Sequence, residues 1–121
     1  MTFTENGIII EQEKICLKYK ADFLQAPFDS IIGVALETFE RKLKPINGLR
    51  HWSSGGTDSG WYVWAGGYST GNDFFKPIHV KHLFEICPET IEFLGLAPGW
   101  RFLIGDDNYE DIWFDETILK I

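Results

Sequence analysis

Ser53-Ser54-Gly55-Gly56-Thr57-Asp58-Ser59-Gly60-Trp61-Tyr62-Val63-Trp64-Ala65-Gly66-Gly67 joins a polar, glycine-rich loop to the densest aromatic run of the chain. Trp61 to Ala65 is aromatic and β-branched, the composition of a pleated, packed segment. Alternation sends Trp61, Val63 and Ala65 to one face and Tyr62 and Trp64 to the other. Both faces are then apolar, which predicts a central strand covered on both sides. In the loop, Gly55, Gly56 and Gly60 suit tight turns. Asp58 is placed to accept from backbone N–H groups two residues on. Two readings of this stretch stay open. It is a hairpin loop feeding a core strand, or a recognition loop held on a rigid strand. The glycines match no phosphate-binding fingerprint, since there is neither a G-x-G-x-x-G opening a helix nor a G-K-[ST].

Outward from this stretch, the next strands lie toward the C-terminus. Residues 100–104 and 110–114 read as an antiparallel hairpin around the polar turn Gly105-Asp106-Asp107-Asn108. Between the two strand regions, the loop 66–73 leads to Phe74-Phe75-Lys76-Pro77. A short helix is then predicted from Val80 or Lys81 to Cys87. A second runs from Glu89 to Leu94, with Pro88 in its first turn and Gly95 at its end. Pro98-Gly99 is a turn. Toward the N-terminus the signals are weaker. Ile8-Ile9-Ile10 suggests a short strand or an arm, and residues 14–20 an edge strand guarded by Lys18 and Lys20. Across 29–44 apolar residues recur at three- and four-residue steps, which predicts an amphipathic helix capped by Asp29 and stopped by Pro45. Asn47-Gly48 reads as a turn. The expected fold is a single α+β domain over residues 1–121: a small, mostly antiparallel sheet with helices packed on one side.

Length and composition agree. The 121 residues make one domain, and 16% aromatic content supplies a core without disulfides. Cys16 and Cys87 stand in apolar contexts and read as buried thiols, as in a reducing, cytoplasmic setting. The N-terminus has no basic region followed by a long apolar one, so no signal peptide is expected. No apolar run approaches the ~20 residues of a membrane span. The net charge is −7. Residues 1–48 hold 7 acids against 6 bases, and residues 49–121 hold 11 against 5. That acidic second half argues against nucleic acid and permits a basic protein partner.

Chemical motifs are sparse. His79 and His82 stand three apart, with no further ligand signature, so no metal site is expected. Asp106-Asp107-Asn108-Tyr109-Glu110-Asp111 resembles a calcium loop but has Asp111 at its sixth position and Thr117 at its twelfth, where Gly and Glu belong. Ser53, Ser54, Ser59 and Cys87 lack any local signature tying a nucleophile to a base. No catalytic residue and no cofactor is therefore expected.

Three ordered blocks carry a family resemblance. They run Ser54-Gly55-Gly56-Thr57-Asp58-Ser59-Gly60-Trp61-Tyr62-Val63-Trp64-Ala65-Gly66, then Phe74-Phe75-Lys76-Pro77-Ile78-His79-Val80-Lys81-His82-Leu83. The third joins Leu94-Gly95-Leu96-Ala97-Pro98-Gly99-Trp100-Arg101-Phe102-Leu103-Ile104 to Tyr109-Glu110-Asp111-Ile112-Trp113-Phe114-Asp115. These blocks resemble the bacterial immunity-protein domain first catalogued as a domain of unknown function and later assigned to polymorphic toxin systems as immunity protein thirty-three. The resemblance spans about half the chain and leaves the first ~50 residues unmatched. It implies a cytoplasmic, non-catalytic protein that neutralises a cognate toxin. A basic toxin would suit the acids Asp106, Asp107, Glu110, Asp111, Asp115 and Glu116. An alternative expectation is a small-molecule or regulatory domain. There Ser54, Thr57, Asp58 and Ser59 would supply hydrogen bonds, and Trp61, Trp64, Trp100 and Arg101 an aromatic, cation-bearing wall.

Overall fold

The computed structural model describes residues 5–120. Six strands form one sheet: β1 (Ile31–Val34), β2 (Ile46–Arg50), β3 (Asp58–Ala65), β4 (Lys76–His79), β5 (Trp100–Ile104) and β6 (Glu110–Phe114). Their spatial order is β4-β1-β3-β2-β5-β6. Only the β1–β3 pairing is parallel; the other four are antiparallel. The α+β class follows directly. The aromatic run is central, as its two-sided apolarity predicts, and the strand extends three residues earlier, to Asp58.

Cross-strand register assigns the faces. Ala65, Val63 and Trp61 stand opposite Ile46, Gly48 and Arg50, which continue to Ile104 and Phe102 on β5 and Ile112 on β6. This is the core face. Trp61, Val63 and Phe102 are fully buried there. Phe102 stacks on Phe93 at 5.1 Å and tilts against Trp61 at 5.6 Å. Gly48 lies beneath that ring, where any Cβ would overlap Phe102. Asn47 and Gly48 therefore do not form the expected turn. They are strand residues, and the glycine is there to admit an aromatic side chain.

Helices cover this face. α1 (Glu5–Tyr19) packs on the 3-10 segment Pro88–Phe93, which follows a 3-10 turn (Val80–His82) and α3 (Leu83–Ile86). α1 replaces the expected arm and edge strand. Its buried residues are Ile8, Gln12, Ile15 and Cys16, spaced as one helical stripe. A polar residue stands in that stripe, and Ile10 and Leu17 lie outside it, exposed. The buried Gln12 donates from Nε2 to the Ile91 carbonyl at 2.9 Å. The strand propensity of Ile8-Ile9-Ile10 is overridden by tertiary packing of the buried stripe on the Pro88–Phe93 segment.

The expected helix over 29–44 is also corrected. β-branched Ile31, Ile32 and Val34 form a strand, and only α2 (Leu36–Glu40) is helical. Asp29 caps nothing; its carboxylate meets Lys81 Nζ at 3.3 Å. The helical spacing arose because Ile32 and Val34 face the core while Phe39 and Leu43 reach it from beyond the strand end. Thr38 ties α2 to the sheet: its hydroxyl accepts from Ala65 N at 2.9 Å and donates to Ala35 O. The short segment Glu116–Lys120, a 3-10 turn, ends the described chain. No described helix is long and apolar enough to cross a membrane.

Candidate functional site

The second face of the sheet presents Gly33, Leu49, Tyr62, Trp64, Arg101, Leu103, Asp111 and Trp113, by the same register. Residues 66–75 roof part of it. Phe75 packs edge-on against Tyr62 at 5.1 Å and Trp64 at 6.1 Å, and Tyr68 meets Trp64 at 5.2 Å. The Tyr62 ring lies over Gly33, where a Cβ would stand 2.7 Å from its Cδ1. Tyr68 is 60% exposed and Trp52, in the β2–β3 loop, 62%, unusual values for rings of that size.

The β2–β3 loop is stapled by one carboxylate. Asp58 Oδ2 accepts from Ser54 N and Ser54 Oγ, both at 2.8 Å, and Oδ1 accepts from Gly60 N at 3.0 Å. The last of these is the two-residue turn expected from sequence. Burial pushes the Asp58 carboxyl up, but the Ser54 and Gly60 N–H groups, the Ser54 hydroxyl and nearby His51 outweigh it. The net result is a carboxyl below its ordinary range. His51 donates Nδ1–H to the Ile118 carbonyl at 2.8 Å, which fixes its tautomer when neutral. Together the loop, the sheet face and the 66–75 roof enclose a cleft of about 350 Å³, lined among others by His51, Ser54, Asp58, Tyr62, Trp64 and Phe75.

The residues singled out from sequence are not brought to one place. Ser54, Asp58 and Trp64 line this cleft. Thr57 and Ser59 line a second hollow of about 380 Å³ across the loop, beside Arg50 and Pro98. Trp61 and Trp100 belong to the core face, Trp64 and Arg101 to the other, so alternation alone prevents a single wall of these four. Arg101 instead pairs with Asp115 at 3.1 Å and lies 5.3 Å from the Trp113 ring.

The six acids are likewise divided. Asp106 and Asp107 are exposed at the β5–β6 turn, and Glu116 is exposed after β6. Asp111 is exposed on the second face. Glu110 points the other way, where Lys18 Nζ donates to it at 3.1 Å and the Tyr19 hydroxyl also binds it. Asp115 is committed to Thr117 and Arg101, which hold its carboxyl below the ordinary range.

Sequence reasoning missed Arg50. It is 3% exposed, with no carboxylate within salt-bridge distance among the described residues. Its guanidinium donates to the carbonyls of Ser59 (2.9 Å), Leu24 (2.6 Å) and Leu96 (2.8 Å). Burial draws its pKa down to about 10, so it stays charged at neutral pH. The only signal was a lone arginine two residues past Asn47-Gly48, which carries no information about carbonyls from distant loops.

Both cysteines are buried free thiols, each raised by burial, Cys87 further by Glu89 and Cys16 by Glu13. Such thiols are poor nucleophiles. His79 and His82 lie 5.9 Å apart, ring to ring. Among the described residues no cluster of three or more His, Cys, Asp or Glu side chains could hold a metal ion.

Compared with known proteins, the chain matches one family model, described as an Imm33-like domain, over residues 11–115. The match reaches well N-terminal of the blocks that carry the resemblance and takes in α1 from residue 11 onward. No curated protein and no solved structure matches.

Proposed function

The chain belongs to the Imm33-like family, and from that membership we propose that it is an immunity protein that binds and neutralises a cognate bacterial toxin in the cytoplasm. It acts by occupying the toxin and performs no catalysis of its own.

The observation that carries the reading further is the second sheet face, opposite the buried core. Leu49, Tyr62, Leu103 and Trp113 share it, with Arg101 held there by Asp115 and exposed Trp52 and Tyr68 at its edge. Aromatic residues and arginine are the types enriched at protein interfaces and at their energetic centres. Asp111 lies on the same face, and Asp106 and Asp107 extend from the turn at its end. With a net charge of −7, this surface suits a basic toxin, because complementary fields speed encounter and deter wrong partners. The proposed contact therefore combines an aromatic centre with an acidic rim; Glu110 and Asp115, bound within the chain, contribute less than their sequence position suggests.

Co-expression with the toxin encoded beside this gene is the test. Cells that carry both should grow, and cells that carry the toxin alone should die. Equal killing in the two cases would overturn the reading. A complex recovered by size exclusion should also resist moderate dilution but weaken with salt, since part of the attraction is between exposed charges.

A further inference from the structure

We propose that the cleft between Tyr62, Trp64, Tyr68 and Phe75, with the Asp58 carboxylate at its edge, receives an arginine side chain of the toxin. This rests on the toxin-binding reading above and names the chemistry of its central contact.

Four features point to a guanidinium. The first is the wall. Tyr62, Trp64, Tyr68 and Phe75 touch one another at 5.1–6.1 Å, with interplanar angles of 55–78°. Half-buried Tyr62 and Phe75 and exposed Tyr68 line the cleft, backed by Trp64, which is 5% exposed. The electron-rich faces of such rings attract a cation, and a planar guanidinium stacks on them. The second is charge. Among the described residues that line the cleft there is one carboxylate, Asp58, and no lysine or arginine.

The third is the unused capacity of that carboxylate. An ionised carboxylate has about four acceptor positions. Asp58 spends three on Ser54 N, Ser54 Oγ and Gly60 N. One remains for an N–H from a guest, and the three existing bonds hold the group in place before the guest arrives. Preorganisation of this kind lowers the cost of binding. His51 adds to it: with Nδ1–H committed to Ile118 O, the neutral ring has Nε2 as an acceptor. The fourth is size. About 350 Å³ lies at the low end of small-ligand sites, which span ~300–1,000 Å³, and suits one long side chain better than a large cofactor.

The probe is N-acetyl-arginine methylamide, titrated into the intact protein and followed by the indole N–H resonance of Trp64. Its neutral isostere, N-acetyl-citrulline methylamide, is the control. The arginine compound should give a saturable shift, and the citrulline compound should bind about tenfold more weakly or not at all. Tyr68→Ala removes an exposed wall and should weaken arginine binding several-fold with only a small fall in melting temperature, since the ring is 60% exposed. Asp58→Asn should remove most of the preference for arginine over citrulline. An absent shift with arginine, equal binding of the two compounds, or unchanged binding by Tyr68→Ala would each overturn the proposal. The toxin assay separates the two readings. A toxin that Tyr68→Ala neutralises as fully as the wild type does overturns the arginine slot and leaves toxin binding standing. A toxin that kills despite the wild-type protein overturns the toxin reading, whatever the small-molecule titration shows.

Discussion

Arg50 and Trp61 are cross-strand partners on β2 and β3, both buried, with the guanidinium carbon 5.6 Å from the centre of the indole ring. They converge on one carbonyl: Trp61 Nε1 donates to Leu94 O at 3.0 Å, and Arg50 Nη1 reaches the same oxygen at 3.4 Å. The pair thus joins the centre of the sheet to the end of the helical layer and to the 24–25 segment. A charge is tolerated there because carbonyl oxygens replace the water it loses.

Replacing Arg50 should therefore cost much more than a surface arginine. Arg50→Met leaves the buried carbonyls of Ser59 and Leu96 without this partner, at about 1–3 kcal/mol for each group left unsatisfied, while the Leu24 carbonyl, at the half-exposed Leu24, loses less. Urea denaturation should show a fall in midpoint large enough to threaten folding. Arg50→Lys should rescue only partly, since a single ammonium cannot reproduce the fork that serves three directions. A lysine variant as stable as wild type would show that charge, not the fork, is what matters.

Trp61→Ala should behave as a core truncation, losing ~3–5 kcal/mol of a total that is typically ~5–15 kcal/mol. Asp58→Ala removes only the loop staple and should cost ~1 kcal/mol, the scale of a lost cap. Thermal melts of the two variants side by side would decide. A Trp61→Ala protein that melts like wild type would mean the ring does not hold the sheet to its helices.

Gly48→Ala adds one methyl group, yet it should destabilise by about 1–3 kcal/mol, the ordinary cost of overpacking. The Cβ enters the Phe102 ring, which is trapped between Phe93 and Trp61 and has nowhere to move. Gly48→Ala combined with Phe102→Leu should recover part of the loss. If the double variant is no better than the sum of the singles, the clash is not the cause.

Acid should weaken the fold through Asp58. Its folded carboxyl lies below the ordinary value, so the folded state binds fewer protons than the unfolded chain in the window between the two. The stability it contributes is complete above the unfolded carboxylate value, near 3.8, and is lost as the pH falls through the folded one. Asp58→Asn should therefore narrow the gap to wild type as the pH drops from 7 to about 3, measured by denaturant midpoints. A gap that stays constant over that range would rule out a charged staple.

Trp52→Ala separates stability from recognition. The ring is 62% exposed, so the melting temperature should hardly move. Binding of the toxin should weaken by at least 1 kcal/mol if the ring lies within the contact, as truncations of interface aromatics commonly do. Isothermal titration with the purified toxin reads this directly; unchanged affinity would place the interface elsewhere.

Much of the fold is legible in the residues alone. The central strand at Trp61, the hairpin of β5 and β6, the helical stretch after Val80 and the turn made by Asp58 all rest on local signals. Those are alternation, turn residues, proline at a helix start and a carboxylate two residues from an amide. Each acts over a few residues, so no distant contact is needed to read it. The family blocks lie in these same segments. The N-terminal third was not legible for the opposite reason. In α1 the buried stripe includes Gln12, whose partner, Ile91, is 79 residues away, while Ile10 and Leu17 stay outside. In β1 the approach of Phe39 and Leu43 to the core imitated a helical period.

What the sequence by itself determined is the α+β class, the strand at the heart of the sheet and the alternation that makes one side of it aromatic. What only the tertiary structure decided is which glycines sit under rings, where Arg50 finds its carbonyls, and which of the acids remain available to a partner. Alternation and turn chemistry are properties of neighbouring residues. Burial of a charge, the fit of a ring over Gly48 and the commitment of Glu110 to Lys18 and Tyr19 depend on groups that meet only when the chain has closed.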